Sequence, residues 1–317
     1  MTIAAFLLFY SLLVMVAGPP LLRKLTRGGQ NPRLSVAAWL TAITTVLISW
    51  AAAVVAATAQ IVGHWDHRQN LVVSCVVQLR VIATGQAGAL LQIALLSLVT
   101  SAAVAAGVTG ARLVRRLAGM RRRSHHHAEA VHLVGRGTAA PDVVVLDAAT
   151  PAAYCVPGRP PAIVVTSAAM IELDEHQLGA VVAHERAHLA GRHPHIVAAL
   201  RGLAGAFPRV ALITQGTENV SRLLEMCADD AAARRHGRTA LLSGLLAMTG
   251  VTPAGALGAA DVAVIARAER LTEPSANSTL TRCTAALAST VAMMAAAPLL
   301  VAALAAAASG LLMCGMQ

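Results

Sequence analysis

Four long apolar runs decide what this chain can fold into. A helix needs about 20 consecutive apolar residues to cross the core of a bilayer. The runs TIAAFLLFYSLLVMVAGPPLL (about 2–22), SVAAWLTAITTVLISWAAAVVAATA (35–59), GALLQIALLSLVTSAAVAAGVTG (about 88–110) and CTAALASTVAMMAAAPLLVAALAAAASGLLM (283–313) all qualify. Only 13% of the 317 residues are charged, against about 25% in a soluble domain. No basic residue precedes the first run, so it reads as a retained span and not a cleaved signal peptide. Pro298 is expected to kink the fourth.

Arginine placement orients these spans, because short cytoplasmic loops collect Lys and Arg. Arg23, Lys24, Arg27 and Arg33 lie between the first two runs, and Arg112, Arg115, Arg116, Arg121, Arg122 and Arg123 follow the third. The N-terminus and the 60–87 loop are then expected outside, and residues 111–282 inside. The net charge of +10 is accounted for by these loops, so no direct nucleic-acid binding is expected. Fourteen of the fifteen acidic residues fall between Glu129 and Glu273, which marks that region as a domain with a water-facing surface. The expected division is a membrane region (1–110), a basic cytoplasmic linker (111–130), a domain (131–282), a fourth span (283–313) and a short extracellular tail (314–317). His125, His126 and His127 fall in the linker and are read as solvated. The five cysteines are scattered without a CxxC pair, so no disulfide framework follows.

The domain opens with two β-branched runs, Val143–Leu146 and Ile163–Thr166. Pro151, Pro157, Pro160 and Pro161 lie between them, so the segment is expected to be a β-hairpin with a stiff connection. A helix is then expected over LDEHQLGAVVAHERAHLAG. Asp174 and Gln177 have the spacing of a capping box, and Gly191 and Pro194 mark its end. His184 and His188 are one turn apart on one face, the HExxH spacing of two zinc ligands, with Glu185 placed to act as base. A third histidine at the HExxHxxGxxH spacing is excluded, because that place is Pro194. His193 and His195 are assigned to the turn at the helix end. The third ligand is instead sought in SRLLEMCADDAAARRHG, where Glu225 sits on a helical run. Asp229 lies four residues on, placed to accept a hydrogen bond from a ligating imidazole.

HERAH followed by EMCAD, in a loop between the third and fourth spans, resembles the BlaR/MecR-type membrane metallopeptidases. These are related to the Ste24/HtpX-type proteases with HExxH…ExxxD. The resemblance covers about residues 140–272 and the four-span layout. It implies a multi-pass α-helical membrane protein with four transmembrane helices and a mainly α, gluzincin-type cytoplasmic domain carrying a small β-hairpin or sheet. It also implies one catalytic Zn²⁺ on His184, His188 and Glu225, with Glu185 as general base and Asp229 behind the ligands. The expected activity is peptide-bond hydrolysis of a protein substrate on the cytoplasmic side of the cell membrane, with a BlaI-type transcriptional repressor as the substrate by analogy. HtpX-like quality control and a non-catalytic sensor or scaffold are the alternatives. The sequence ends soon after the fourth span, without the penicillin-binding sensor domain of the β-lactam sensors. A signal would therefore enter through the outer loop, a membrane sensor partner or the bilayer. Arg234, Arg235 and His236 are candidate oxyanion donors, and the Ile163–Thr166 strand is a candidate edge for substrate pairing.

Overall fold

The computed structural model describes residues 2–63, 87–249, 267–272 and 283–298, together with 300 and 303. The expected outer loop, most of the segment leading to the fourth span, and the C-terminal tail lie outside the described residues. Helices α1 (Thr2–Thr26) and α2 (Pro32–Gly63) form an antiparallel pair joined at Arg27–Asn31. Among the described residues these are the two helices long and apolar enough to cross a membrane, over Ala4–Thr26 and Pro32–Ala56. The third expected span begins a much longer helix, α3 (Ala87–Val134). The described part of the fourth, Cys283–Pro298, is apolar but shorter than a span.

The basic stretch 111–130 differs from the expected linker, because α3 runs through it without a break. The reason is packing: Ala128 and Val131 are buried on the sheet together with Val144, Val156 and Val164. His127 stacks on Tyr154 with centroids 6.1 Å apart, and His126 faces Glu129 in the open.

The sheet has four strands: β1 (Arg136–Gly137), β2 (Val143–Leu146), β3 (Ala153–Val156) and β4 (Ala162–Thr166), in the order β1-β2-β4-β3. Both expected strands form, but the expected hairpin is corrected. β2 and β4 pair in parallel, with Val143 opposite Ile163. The proline-rich connection contains a strand of its own, β3, which pairs antiparallel with β4. Every residue of β4 is buried, as expected of a strand bonded on both sides and covered on both faces. It therefore offers no edge to a substrate; the outer strands are β1 and β3.

Helices α4 (Ser167–Glu172), α5 (Glu175–Ala190), α6 (His193–Ala206), α7 (Ala211–His236) and α8 (Arg238–Thr249) follow. Val165, Ile163 and Val143 face Val181 of α5 and Leu173, so the sheet lies between α3 and the HExxH helix. The bidentate pair of Arg186 with Asp142, at 2.7 and 2.9 Å, ties α5 to the start of β2. The capping box at Asp174 forms as expected, with the Gln177 N–H 2.8 Å from the Asp174 carboxylate.

The two apolar helices and the domain share one core. Leu22, Trp39, Ile43 and Val46 pack with Leu212, Ile213, Val220 and Leu223 of α7. Gly216 is where α7 meets α2, since a Cβ there would lie 2.8 Å from Ile43. The α1–α2 turn locks onto α7 at Gly29. Its φ is +57°, and an added Cβ would stand 2.5 Å from Met226 Sδ. Gly29→Ala should therefore lower the unfolding temperature in detergent by several degrees, from backbone strain and the clash together. An unchanged melt would mean that this turn is not seated on α7.

Candidate metal centre

The HExxH helix and α7 pack side by side and bring three donors together. The His184, His188 and Glu225 ligand atoms all lie within 4.8 Å of one another. The two Nε2 atoms are 3.1 Å apart, and each is 3.5 Å from a different oxygen of Glu225. The imidazoles are buried, while the Glu225 side chain is 41% exposed. The cluster is thus closed behind the histidines and open beside the carboxylate. Two imidazoles and one carboxylate with an open side are the donor set of a catalytic zinc site, not of a closed structural one.

Asp229 sits one turn beyond Glu225 and is fully buried. Its carboxylate is 3.1 Å from His184 Nδ1, although the N–H is not squarely aimed at it. On its other side it takes two hydrogen bonds from Arg267, at 2.6 and 2.8 Å. Arg267 Nη1 also approaches Glu225, at 3.5 Å. Burial works against the Asp229 anion, but the guanidinium outweighs it and holds the carboxyl below the usual range. Burial likewise opposes the Glu225 anion, and His184 and His188 overcome it and lower that pKa.

His193 has a different place from the one expected. It opens α6 and is buried, with Nδ1 3.0 Å from His188 Nδ1. Burial, then the neighbouring His188, push its pKa down to about 4. A neutral His193 can accept the His188 Nδ1 proton, which leaves the His188 Nε2 lone pair pointing into the cluster. The backbone is shaped for this contact. Arg192 adopts the left-handed conformation at φ 53°, and a Cβ on Gly191 would collide with the His193 ring.

Glu185 projects from the flank of α5 that adjoins the histidine face, at about 100° per residue, and the Cys155 thiol of β3 interacts with it there. Burial raises the Glu185 pKa, against the pull of His184 and His188. Burial, then Glu185, push the Cys155 thiol up to about 12, so it stays protonated. Arg234, Arg235 and His236 do not join this group. They end α7, roughly 14 to 17 Å along the axis beyond Glu225 at about 1.5 Å per residue. His236 packs at Gly179, and Arg234 lines a small cleft with Asp230 and Arg238.

Sequence reasoning missed three of these neighbours. Arg267 stood in a stretch read only as a return to the membrane, and its one signal was the pair of arginines in ARAER. His193 was hidden by the helix-ending signals Gly191 and Pro194. Cys155 lay in a connection not read as a strand.

Residues 120–205 match the model of peptidase family M48. The match supports an M48 metallopeptidase, a class that is typically zinc-dependent. It includes the HExxH helix and His193 but ends before α7, so Glu225 and Asp229 rest on geometry. No curated protein and no solved structure matches the chain.

Two outcomes follow for the metal-binding properties. Burial lowers the His184 pKa, but Asp229 and Glu225 more than reverse this and raise it from 6.5 to about 9 in the metal-free protein. Its stabilising contribution is complete below about pH 6.5 and lost as pH rises through about 9. A metal must displace the same proton. Between pH 6.5 and 9 the metal-free melting temperature should fall while zinc affinity rises; a flat affinity would contradict the His184–carboxylate contacts. His193→Phe should lower zinc affinity about 10- to 100-fold by removing the partner of His188, measured by competition with a chelator. Wild-type affinity in that variant would remove His193 from the centre.

Proposed function

We propose that the chain is a membrane-embedded zinc endopeptidase that cleaves a peptide bond on the cytoplasmic side. The observation that carries this reading is the convergence of His184, His188 and Glu225 beside Glu185, on a helix that lies along an outer strand of a sheet. His184, His188 and Glu225 would hold the ion, which supplies the Lewis acidity that polarises a carbonyl and makes a water acidic. Asp229 and His193 fix the two imidazoles from behind. Glu185 takes the water's proton and later delivers it to the leaving nitrogen. Its raised pKa moves it towards the operating pH, where a group can serve as base and then acid.

The substrate backbone is read onto β3. This strand is bonded on one side only, to β4, so its outer edge can pair with an extended peptide. Cys155 alternates with Tyr154 and faces α5, so a peptide laid along β3 would pass Glu185. Among the residues around the cluster, Arg267 is the cation nearest to Glu225, at 3.5 Å, and is a better candidate for charge stabilisation than the α7 terminus.

The apolar pair α1–α2 supports membrane association, and the arginine-rich turn supports a cytoplasmic domain. A regulated role, with cleavage of a BlaI-type repressor, is the favoured setting by resemblance. The intimate packing of α1–α2 on α7 fits a centre that answers to the membrane. HtpX-like turnover of misfolded membrane proteins is the second reading, favoured by an open β3 edge without an evident side-chain filter. A defined repressor fragment in cells would support the first, and broad accumulation of membrane proteins on deletion would support the second.

Glu185→Gln should retain zinc at the wild-type ratio yet lower peptidase activity by about 10² to 10⁴. Full activity in that variant would overturn the base assignment. Loss of zinc would show that Glu185 supports the ligands instead.

A further inference from the structure

A second cavity lies behind the metal ligands. It has a volume of about 420 Å³, opens to solvent, and is bordered by the first turn of α2, the end of α5, the start of α6 and the middle of α7. This size is within the range of small-molecule sites. Ala187, Ala190 and Gly191 line it. At 100° per residue these fall on the flank of α5 turned away from Glu185, so this cavity does not adjoin Glu185. Val36, Leu224, Cys227 and His193 form its buried floor, and exposed Arg33, Ala190 and Gly191 form its rim.

The two parts of the cavity call for different chemistry. The floor is apolar apart from one face of His193. The rim carries Arg33, which has no carboxylate partner among the described residues. The positive charge of Arg33 therefore stands over an apolar floor. Its height in the molecule is set by Arg33 and Val36, in the first turn of the second apolar helix, beside the basic end of α1. In a membrane-associated chain this is the level of the headgroups, where an anionic lipid meets an exposed guanidinium.

We infer that this cavity binds one anionic phospholipid, with its phosphate on Arg33 and the first part of an acyl chain against Val36, Ile196 and Leu224. A free phosphate would leave the apolar floor unfilled, and a peptide substrate is served by the opposite flank of α5. The bound chain would touch His193, the residue that holds His188, so the lipid sits against the metal centre without entering it. The inference does not depend on peptidase activity and is read without it.

The full chain is reconstituted in nanodiscs of mixed phosphatidylglycerol and phosphatidylcholine, and lipid retained after mild detergent release is counted by native mass spectrometry. The wild type should keep one phosphatidylglycerol in preference to phosphatidylcholine. Arg33→Gln should weaken that preference about fivefold, the effect of one cation near a membrane surface, and Arg33→Lys should restore it in large part. Ala190→Phe, at an exposed rim position, should reduce retention of either lipid by filling the cavity mouth. Melting temperatures confirm that each variant is folded, and Ala190→Phe alone decides the matter if Arg33→Gln is not. Equal retention of the two lipids by the wild type would overturn the proposal, as would a folded Ala190→Phe that keeps its lipid. Release of the lipid by millimolar inorganic phosphate would also overturn it, showing a phosphate site in its place.

Discussion

The contact on which the centre depends is the buried chain His184–Asp229–Arg267. A carboxylate with no exposure at all is tolerable only if its charge is matched and its lone pairs are used. Arg267 matches the charge in a bidentate fork, and His184 occupies the remaining side. Removing one member of such a buried group typically costs about 3–5 kcal/mol, because the others are left uncompensated. The network therefore fixes the distance between α5 and α7, and so the distance between two imidazoles and the Glu225 carboxylate. It also draws in the helical stretch 267–272, which is further held on α7 by Arg270 on Asp230 and by Leu271 packed with Ala232.

The same economy appears on the other side of the pair. His188 is held by His193, which is itself neutral, so no further buried charge is introduced there. Each imidazole thus has a different kind of support, a carboxylate for His184 and an uncharged ring for His188. The carboxylate raises the pKa of His184, an effect that comes from a residue behind the imidazole.

Local rules made part of this legible in the sequence. The Asp174 capping box, the i, i+4 histidines and the Glu225–Asp229 spacing all depend on helix geometry alone, and all three appear where the spacing put them. The β2 and β4 runs were legible for the same reason, as short β-branched stretches. Their relation was not, because parallel and antiparallel pairing differ only in what the connection does. AYCV, hidden among prolines, was the strand that made β4 central. Arg267 and His193 were illegible for another reason. Their roles depend on which helix lies across from them, and Gly191–Pro194, which ends one helix, also starts the next. The helical course of 111–130 was likewise decided by a sheet that Ala128 and Val131 could reach, which overrode the polar composition.

α7 links the centre to the apolar helices, because two of its faces are used within the same two turns. Glu225 and Asp229 face α5 and the ligand cluster. Arg222, Met226 and Asp230, each four residues from the next, lie along the adjoining face and meet the α1–α2 turn. Arg222 reaches the Thr26 carbonyl at 3.4 Å, Met226 seats on Gly29, and Asp230 holds Arg270, which in turn donates to the Gly29 carbonyl at 3.1 Å. Arg270 and Arg267 belong to the same short helical stretch. A shift of the turn between the apolar helices is thus resisted at once by α7 and by the segment that carries the Asp229 partner. Packed helices move as rigid bodies over small distances, so such a shift would reach Glu225 as a change of position and not be absorbed on the way. The apolar helices are in this sense part of the wall of the centre, and a domain cut away from them would lose the surface that keeps α7 in register with α5.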